Sequence, residues 1–547
     1  MRTIFSRFFL LLAFTLTASA QQPAAPDAAS QAAPSPTAQQ PAPATPANTI
    51  TRNVSLVILD GVVIDKKGNA VTDLKREEFH VTEDDAPQQI RNFEVPGRFT
   101  PSPDITIDST ADLDHLAPRA PVNIVLLDEF NTRFEDMAFA RYSLKKWLEK
   151  QPDKLDTPTM LVAVDLQHFT VLRDYTQNKD EIITALDHHF AAYPWQAHQF
   201  AWIAERYTTA FYTLRRVAEA AIGHQGHKNM IWLGRGFPTI DRSRFTIDDE
   251  HRVFSAVQVT VNELRDARVT LYTIDPAGVM VDPGVYGSGA SLFAPFGGDP
   301  DFQSLARSTG GRNLYGRNDV DAEIGTSIRD GASIYTLTYR PSNESFDPTK
   351  FRKIKVTVDR PGLAFVTRQG YFQDTRAPRP TVDGKVGNRL ASELINAESS
   401  NMAYDAVAFT VKADAVDPTA LKFVVGPRGV GWYFTNGTKP RFTRLIVLSS
   451  TFDRKGKELK RNSQLVTFNA PPEITDSMQV NKAVSFSVKL DPDPKAVRAR
   501  LVVRVEGSGR MGTADLTLGP GATASSSSAG VPTPVAANPA PAPSEKP

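Results

Sequence analysis

Cysteine is missing from all 547 residues, which excludes disulfides, thiol nucleophiles, cysteine-ligated zinc and lipid attachment through an N-terminal cysteine. A fold without thiols is indifferent to an oxidising compartment. Charge of one sign is also missing: 62 Lys and Arg stand against 61 Asp and Glu, for a net charge of +1 and no basic block. The electrostatic footprint of a nucleic-acid binder is therefore absent. No apolar run approaches the roughly 20 residues that a membrane-spanning helix needs. Neither a G-x-S-x-G nucleophile elbow nor a glycine-rich loop ending in G-K-[ST] occurs, which removes two common signatures of hydrolases and phosphate-binding proteins.

What is present begins with an export pattern. Arg2 and Arg7 form a basic start, residues 8–16 are apolar, and Ala18, Ser19 and Ala20 precede Gln21. This reads as a cleaved signal peptide over 1–20 and implies a secreted or periplasmic destination. Residues 21–49 and 519–547 consist largely of Ala, Pro, Ser, Thr and Gln, a composition that cannot bury enough apolar surface to offset the entropy of ordering, so both read as disordered. At about 150 residues per domain, the remainder has room for about three or four domains.

The alternation of Val54, Leu56 and Ile58, with the turn Lys66-Lys67-Gly68-Asn69, predicts a small N-terminal β domain over 50–96. Residues 97–120 are Pro- and Asp-rich without periodicity and read as a linker. From 121 to 375, apolar strands alternate with amphipathic helices. Val122-Asn123-Ile124-Val125-Leu126-Leu127 reads as the first strand, and Met160-Leu161-Val162-Ala163-Val164, Met230-Ile231-Trp232-Leu233 and Val269-Thr270-Leu271-Tyr272-Thr273-Ile274 as later ones. Phe134, Met137, Leu144 and Leu148 mark one helix and Tyr207, Phe211, Leu214 and Val217 another. This alternation predicts an α/β fold with a doubly wound, mostly parallel sheet and a closing β-hairpin around Pro361-Gly362. A linker over 376–399 and a C-terminal β-sandwich over 400–518 complete the expected order, with β-sandwich domains on both sides of the α/β unit.

The corner Asp128-Glu129-Phe130-Asn131-Thr132 after the first strand resembles that of a von Willebrand factor type A domain. The phrases Leu126-Leu127-Asp128, Tyr272-Thr273-Ile274-Asp275-Pro276-Ala277-Gly278, Thr309-Gly310-Gly311 and Arg368-Gln369-Gly370-Tyr371, in that order, resemble a family of secreted von Willebrand A-related proteins of acidobacteria, over residues 50–375. The resemblance implies a metal-ion-dependent adhesion site, in which Asp and hydroxyl oxygens hold Mg²⁺ and the partner's carboxylate completes the shell. Asp128 matches the first ligand and Thr132 the last. Phe130 occupies the place of the middle Ser and offers no oxygen, and Arg235 of Gly234-Arg235-Gly236 stands where a further Asp belongs, so the site reads as degraded. The alternative role for Asp128 is a turn or helix-capping carboxylate. Because ligands of open α/β sheets gather at the carboxyl ends of the strands, Asp128, Asn131, Thr132, Arg235 and Asp275 can also form a metal-free recognition rim.

Other constellations point to structure. His224 and His227 form H-x-x-H past a helix end, where a surface loop is expected, and the adjacent His188 and His189 cannot share one ion on a helix. Residues 284–298 read as a glycine-rich loop, Trp432-Tyr433-Phe434 as strand packing, and Thr246-Ile247-Asp248-Asp249-Glu250 as a helix cap. The expectation is a non-catalytic, secreted or periplasmic interaction protein that binds a protein or envelope component at the rim, without a cofactor. The alternatives are metal-dependent adhesion through Asp128 and Thr132, with Mg²⁺, and an extracellular hydrolase with dispersed carboxylates.

Overall fold

β5 (Val122–Asp128) has every residue buried, a pattern that places it between two packed faces rather than at a solvated one. The computed structural model describes residues 56–191, 201–236, 246–277, 302–314, 318–343, 345, 347, 350–373, 385–413, 420–426, 441–470, 483–490, 492–506, 509–518 and 524–526. Expectations for the signal peptide, for residues 21–49 and 284–298 and for Trp432-Tyr433-Phe434 lie outside these residues. All that follows belongs to the unit Val54–Pro547.

Before β5 the chain forms β1 (Val57–Ile64), β2 (Phe79–Glu83), β3 (Ala86–Gln88), β4 (Ile90–Glu94) and helix α1 (Thr110–Leu116). After it come α2 (Phe134–Glu149), β6 (Lys154–Val164), β7 (Phe169–Asn178), α3 (Lys179–His188), α4 (Ala201–Ala221), β8 (Lys228–Leu233), α5 (Ile247–Asp266) and β9 (Val269–Ile274). Next are α6 (Phe302–Ser308), β10 (Asn313–Leu314), α7 (Val320–Ala332), β11 (Tyr335–Tyr339), β12 (Phe351–Val358), β13 (Ala364–Thr367), β14 (Gly370–Phe372) and α8 (Lys385–Ser399). The last part is all strand: β15 (Phe409–Ala413), β16 (Ala420–Val425), β17 (Arg441–Phe452), β18 (Glu458–Ala470), β19 (Val484–Lys489), β20 (Arg498–Val505), β21 (Met511–Thr517) and β22 (Ala524–Ser526).

The expected α/β class with a doubly wound, mostly parallel sheet is corrected by this arrangement. Strand outweighs helix, and the described strands fall into five sheets. Four of these are antiparallel throughout, and the fifth, in the order β10-β9-β8-β5-β6-β7, is mixed because β7 runs against β6. The physical reason is long-range pairing. β1 joins β11 and β13, and β2 joins β12, so residues 57–94 and 335–372 build two facing antiparallel sheets around one core that includes Leu59, Phe79, Tyr335 and Tyr339. The segment read as a separate domain over 50–96 is thus completed by strands some 280 residues later in the chain, as Val57 opposite Tyr339 shows.

The mixed sheet carries the centre of the molecule. Ile124 and Leu126 of β5 face a core with Trp232 of β8, Leu214 of α4 and Leu264 of α5, while Val125 and Leu127 face a second core with Leu144 of α2, Ile182 of α3 and Ile324 of α7. Burial of such side chains stabilises by roughly 1.5–3 kcal/mol each. The first core extends to Tyr404, Leu448 and Val502, so the C-terminal strands pack on the central sheet. Both stretches read as linkers contain packed helices: Leu113 of α1 and Leu394 of α8 are buried in this core. α1 has seven residues and one buried apolar side chain, so it leaves no periodic trace; in α8, Leu390, Leu394 and Ala397 do stand at helical spacing. β22, within the stretch read as a disordered tail, adds an edge strand to β21.

Inside the β1 to β14 unit, Arg352 and Glu83 form a fully buried ion pair at 2.8 Å, and the Tyr339 and Tyr371 hydroxyls donate to the same carboxylate at 2.6 and 3.2 Å. Replacing Glu83 with Ala leaves the guanidinium without its counter-charge, and urea unfolding should register a loss of ~3–5 kcal/mol. The same substitution at exposed Glu77 should leave the midpoint in place. Equal, small effects at the two positions would contradict the ion pair's structural role.

Candidate functional site

Parallel pairing brings the ends of β5, β8 and β9 level, with Leu127 opposite Leu233 and Leu233 opposite Ile274. The loops that follow therefore converge: Asp128 to Thr132 after β5, Gly234-Arg235-Gly236 after β8, and Asp275 after β9. Gly234 adopts φ +140°, and a Cβ there would lie 2.3 Å from Thr132 Oγ1 and 2.5 Å from Asp128 Cβ. Glycine is what lets the β8 loop approach the β5 loop this closely.

Asp128 is wholly buried. Its Oδ1 accepts from the Asn131 amide at 2.9 Å, and its Oδ2 accepts from the Gly236 amide at 2.7 Å and the Trp232 indole N–H at 3.0 Å. Removal from water pushes its pKa up to about 7, against the opposing pull of the Trp232, Asn131, Gly236 and Phe130 N–H groups. A carboxylate buried in this way needs its hydrogen bonds from the protein. It receives them from both neighbouring loops and so ties the end of β5 to the end of β8.

The other expected residues divide into two groups. Thr132 is buried, and its Oγ1 accepts from the Arg235 amide at 3.2 Å. Asn131 is buried as well; its Nδ2 donates to the Gly236 carbonyl, and its Oδ1 accepts from Arg206 at 3.3 Å. Arg235 and Asp275 are partly exposed, with side chains 26% and 34% accessible, and their Nε to Oδ1 separation of 3.6 Å is an ion pair without a hydrogen bond. Asp136, in the first turn of α2, joins them: its Oδ2 is buried without a hydrogen-bond partner, and burial raises its pKa while the Arg235 charge lowers it.

The residues do not fit a hard cation as arranged. Mg²⁺ binds oxygens with free lone pairs directed at it, whereas here N–H groups point at both Asp128 oxygens, at Thr132 Oγ1 and at Asn131 Oδ1. Phe130, where the adhesion pattern has a serine, sends its ring into the core, edge-on to Trp232 at 6.1 Å, and Trp232 meets Phe302 at 4.6 Å. Asp128 and Thr132, the expected Mg²⁺ ligands, thus accept N–H groups of the protein.

Sequence reasoning missed Asp136, Arg206 and Trp232. Asp136 carried a signal, since it opens the helix that follows Asp128; the indole bond of Trp232 depends on which face of β8 meets β5 and had none. One histidine expectation changes: His224 and His227 are buried rather than in a surface loop. His188 is exposed and His189 pairs with Glu129 at 2.8 Å, so the adjacent pair points to different surroundings, as expected.

No family model and no curated protein matches the chain. Solved structures similar to it include proximal thread matrix protein 1 from the mussel byssus, at 13% identity over 29% of this chain and 38% of that one, TM-score 0.20. Others are a pilus adhesin from Lactobacillus rhamnosus GG, at 10% identity over 76% of this chain and 58% of that one, TM-score 0.25, and an endonuclease/exonuclease/phosphatase from Beutenbergia cavernae, at 15% identity over 35% and 38%, TM-score 0.12. The chain spans less than two thirds of each of these structures. At such scores the likenesses carry no argument about fold or function.

Because the folded-state pKa of Asp128 lies above its ordinary value of 3.8, its protonation favours the folded protein. That contribution is complete below the ordinary value and is lost as pH rises through about 7. The stability of the wild type relative to Asp128→Asn should therefore be greatest near about pH 4 and should fall by on the order of 2–4 kcal/mol by about pH 8.5. Chemical denaturation of both proteins across this range checks it; a pH-independent difference would show that Asp128 is not buried as described.

Proposed function

We propose that the chain is a secreted or periplasmic, non-catalytic interaction protein that binds a protein or envelope component through the carboxyl-end rim of β5, β8 and β9. The observation that supports this most directly is the division of labour at the rim. Asp128, Asn131 and Thr132 have their polar atoms engaged within the protein, whereas Arg235, Asp275 and Asp136 hold loosely paired charge at the mouth. Asp275 Oδ1 also accepts from the Ala277 amide at 3.0 Å, but its contact with Arg235 is not a hydrogen bond, and exposed complementary charge governs the rate and register of association. Among the described residues no helix is long and apolar enough to cross a membrane.

Binding in this reading needs no metal. The purified protein should capture a defined partner from envelope extract equally well with Mg²⁺ and with a chelator, and the double reversal Arg235→Glu with Asp275→Arg should weaken capture ~10-fold or more. Calorimetry with Mg²⁺ and Mn²⁺ should show no saturable heat. Capture that requires Mg²⁺ and is lost in Asp128→Ala would replace this reading with metal-dependent adhesion, and turnover of a glycan or peptide would replace it with hydrolysis.

A further inference from the structure

At the opposite end of the central sheet, before β5 and β8 begin, a cavity of about 40 Å³ opens where β4, the β4 to β5 connection and α7 meet the start of β8. That is roughly three water-sized volumes. Arg98, Arg119, Arg268 and His227 all line it. His227 is fully buried; its Nδ1 faces Asp60 Oδ2 at 3.5 Å, and its Nε2 has no hydrogen-bond partner.

The charges around it are unequal. Arg268 is held by Asp60 at 2.7 and 3.0 Å and by Thr336 Oγ1 at 3.0 Å, and Arg119 pairs with Glu94 at 2.6 Å while its guanidinium lies 3.7 Å from the Phe99 ring centroid. Arg98, exposed at the mouth, has no carboxylate partner among the described residues. Three guanidiniums therefore meet two carboxylates, Glu94 and Asp60, and one positive charge is left over. The remaining wall is partly apolar, through Val95, Pro121 and Ile334.

We infer that this cavity is a binding site for a compact carboxylate on a short aliphatic stem, held by Arg98 with Arg119 as a second fork. Guanidinium geometry matches a planar carboxylate two bonds at a time. Burial keeps the imidazole neutral, and its one N–H is directed at Asp60. The same chemistry is offered by a free short-chain acid and by an acidic side chain of a bound peptide. The site lies apart from the carboxyl-end rim and does not depend on the function proposed there.

The test is titration of the full chain with sodium propionate and, separately, with a glutamate-containing peptide blocked at both ends, followed by calorimetry at constant ionic strength. Saturable binding of either probe is expected, and which of the two binds identifies the source. Arg98→Ala, at an exposed position, should weaken it ~10-fold, and Glu94→Gln, which frees Arg119, should tighten it ~3-fold or more. Absence of saturation with both probes would overturn the inference, as would affinities that neither variant changes. A chloride titration with the same strength and the same response to the variants would overturn the carboxylate assignment.

Discussion

The buried carboxylate of Asp128 sets the terms for the rest of the site. Without water, its oxygens must be served by N–H groups, and the structure supplies these from the two loops that the parallel pairing of β5 and β8 makes adjacent. That requirement draws Gly236 and Trp232 inward, places Gly234 where only a missing side chain fits, and fixes where Arg235 can stand. Desolvation of Asp128 outweighs these donors in its pKa, so the interaction organises the loops more than it stabilises the charge.

The two ends of the central sheet differ for a related reason. At the carboxyl end one carboxylate is enclosed, and the Arg235 and Asp275 ion pair stands at the mouth with Asp136 beside it. At the amino end, three guanidiniums meet Glu94 and Asp60 at the cavity, and Lys228, buried beside Asp60, Asp114 and Asp405, has its pKa lowered to about 7 by burial and by Arg268. In both places the more exposed charge, Arg235 and Asp275 at one end and Arg98 at the other, sits where the chain leaves regular structure. Loops held by a rigid sheet are where polar groups can stay partly unsatisfied without unfolding the core.

The sequence made the central elements legible because their signals are local. Val122 to Leu127 falls inside β5, and the spacing of Met137, Leu144 and Leu148 matches the buried face of α2. Fold class was not legible, since alternation tells which faces of a strand are buried but not which strand lies beside it; Val57 and Tyr339 give no hint of each other. Asp128 stood out as a site residue because its position after an apolar strand is distinctive. Whether such a carboxylate faces a ligand or the protein is decided by Trp232 and Gly236, more than 100 residues away.

Amide and indole hydrogen exchange at Gly236 and Trp232 measures the Asp128 tie directly. The account predicts strong protection of both N–H groups, unchanged when millimolar Mg²⁺ is added, because each is bonded to an enclosed carboxylate. Rapid exchange at both positions, or protection that Mg²⁺ abolishes, would show that Asp128 is available to ligands and would contradict the account.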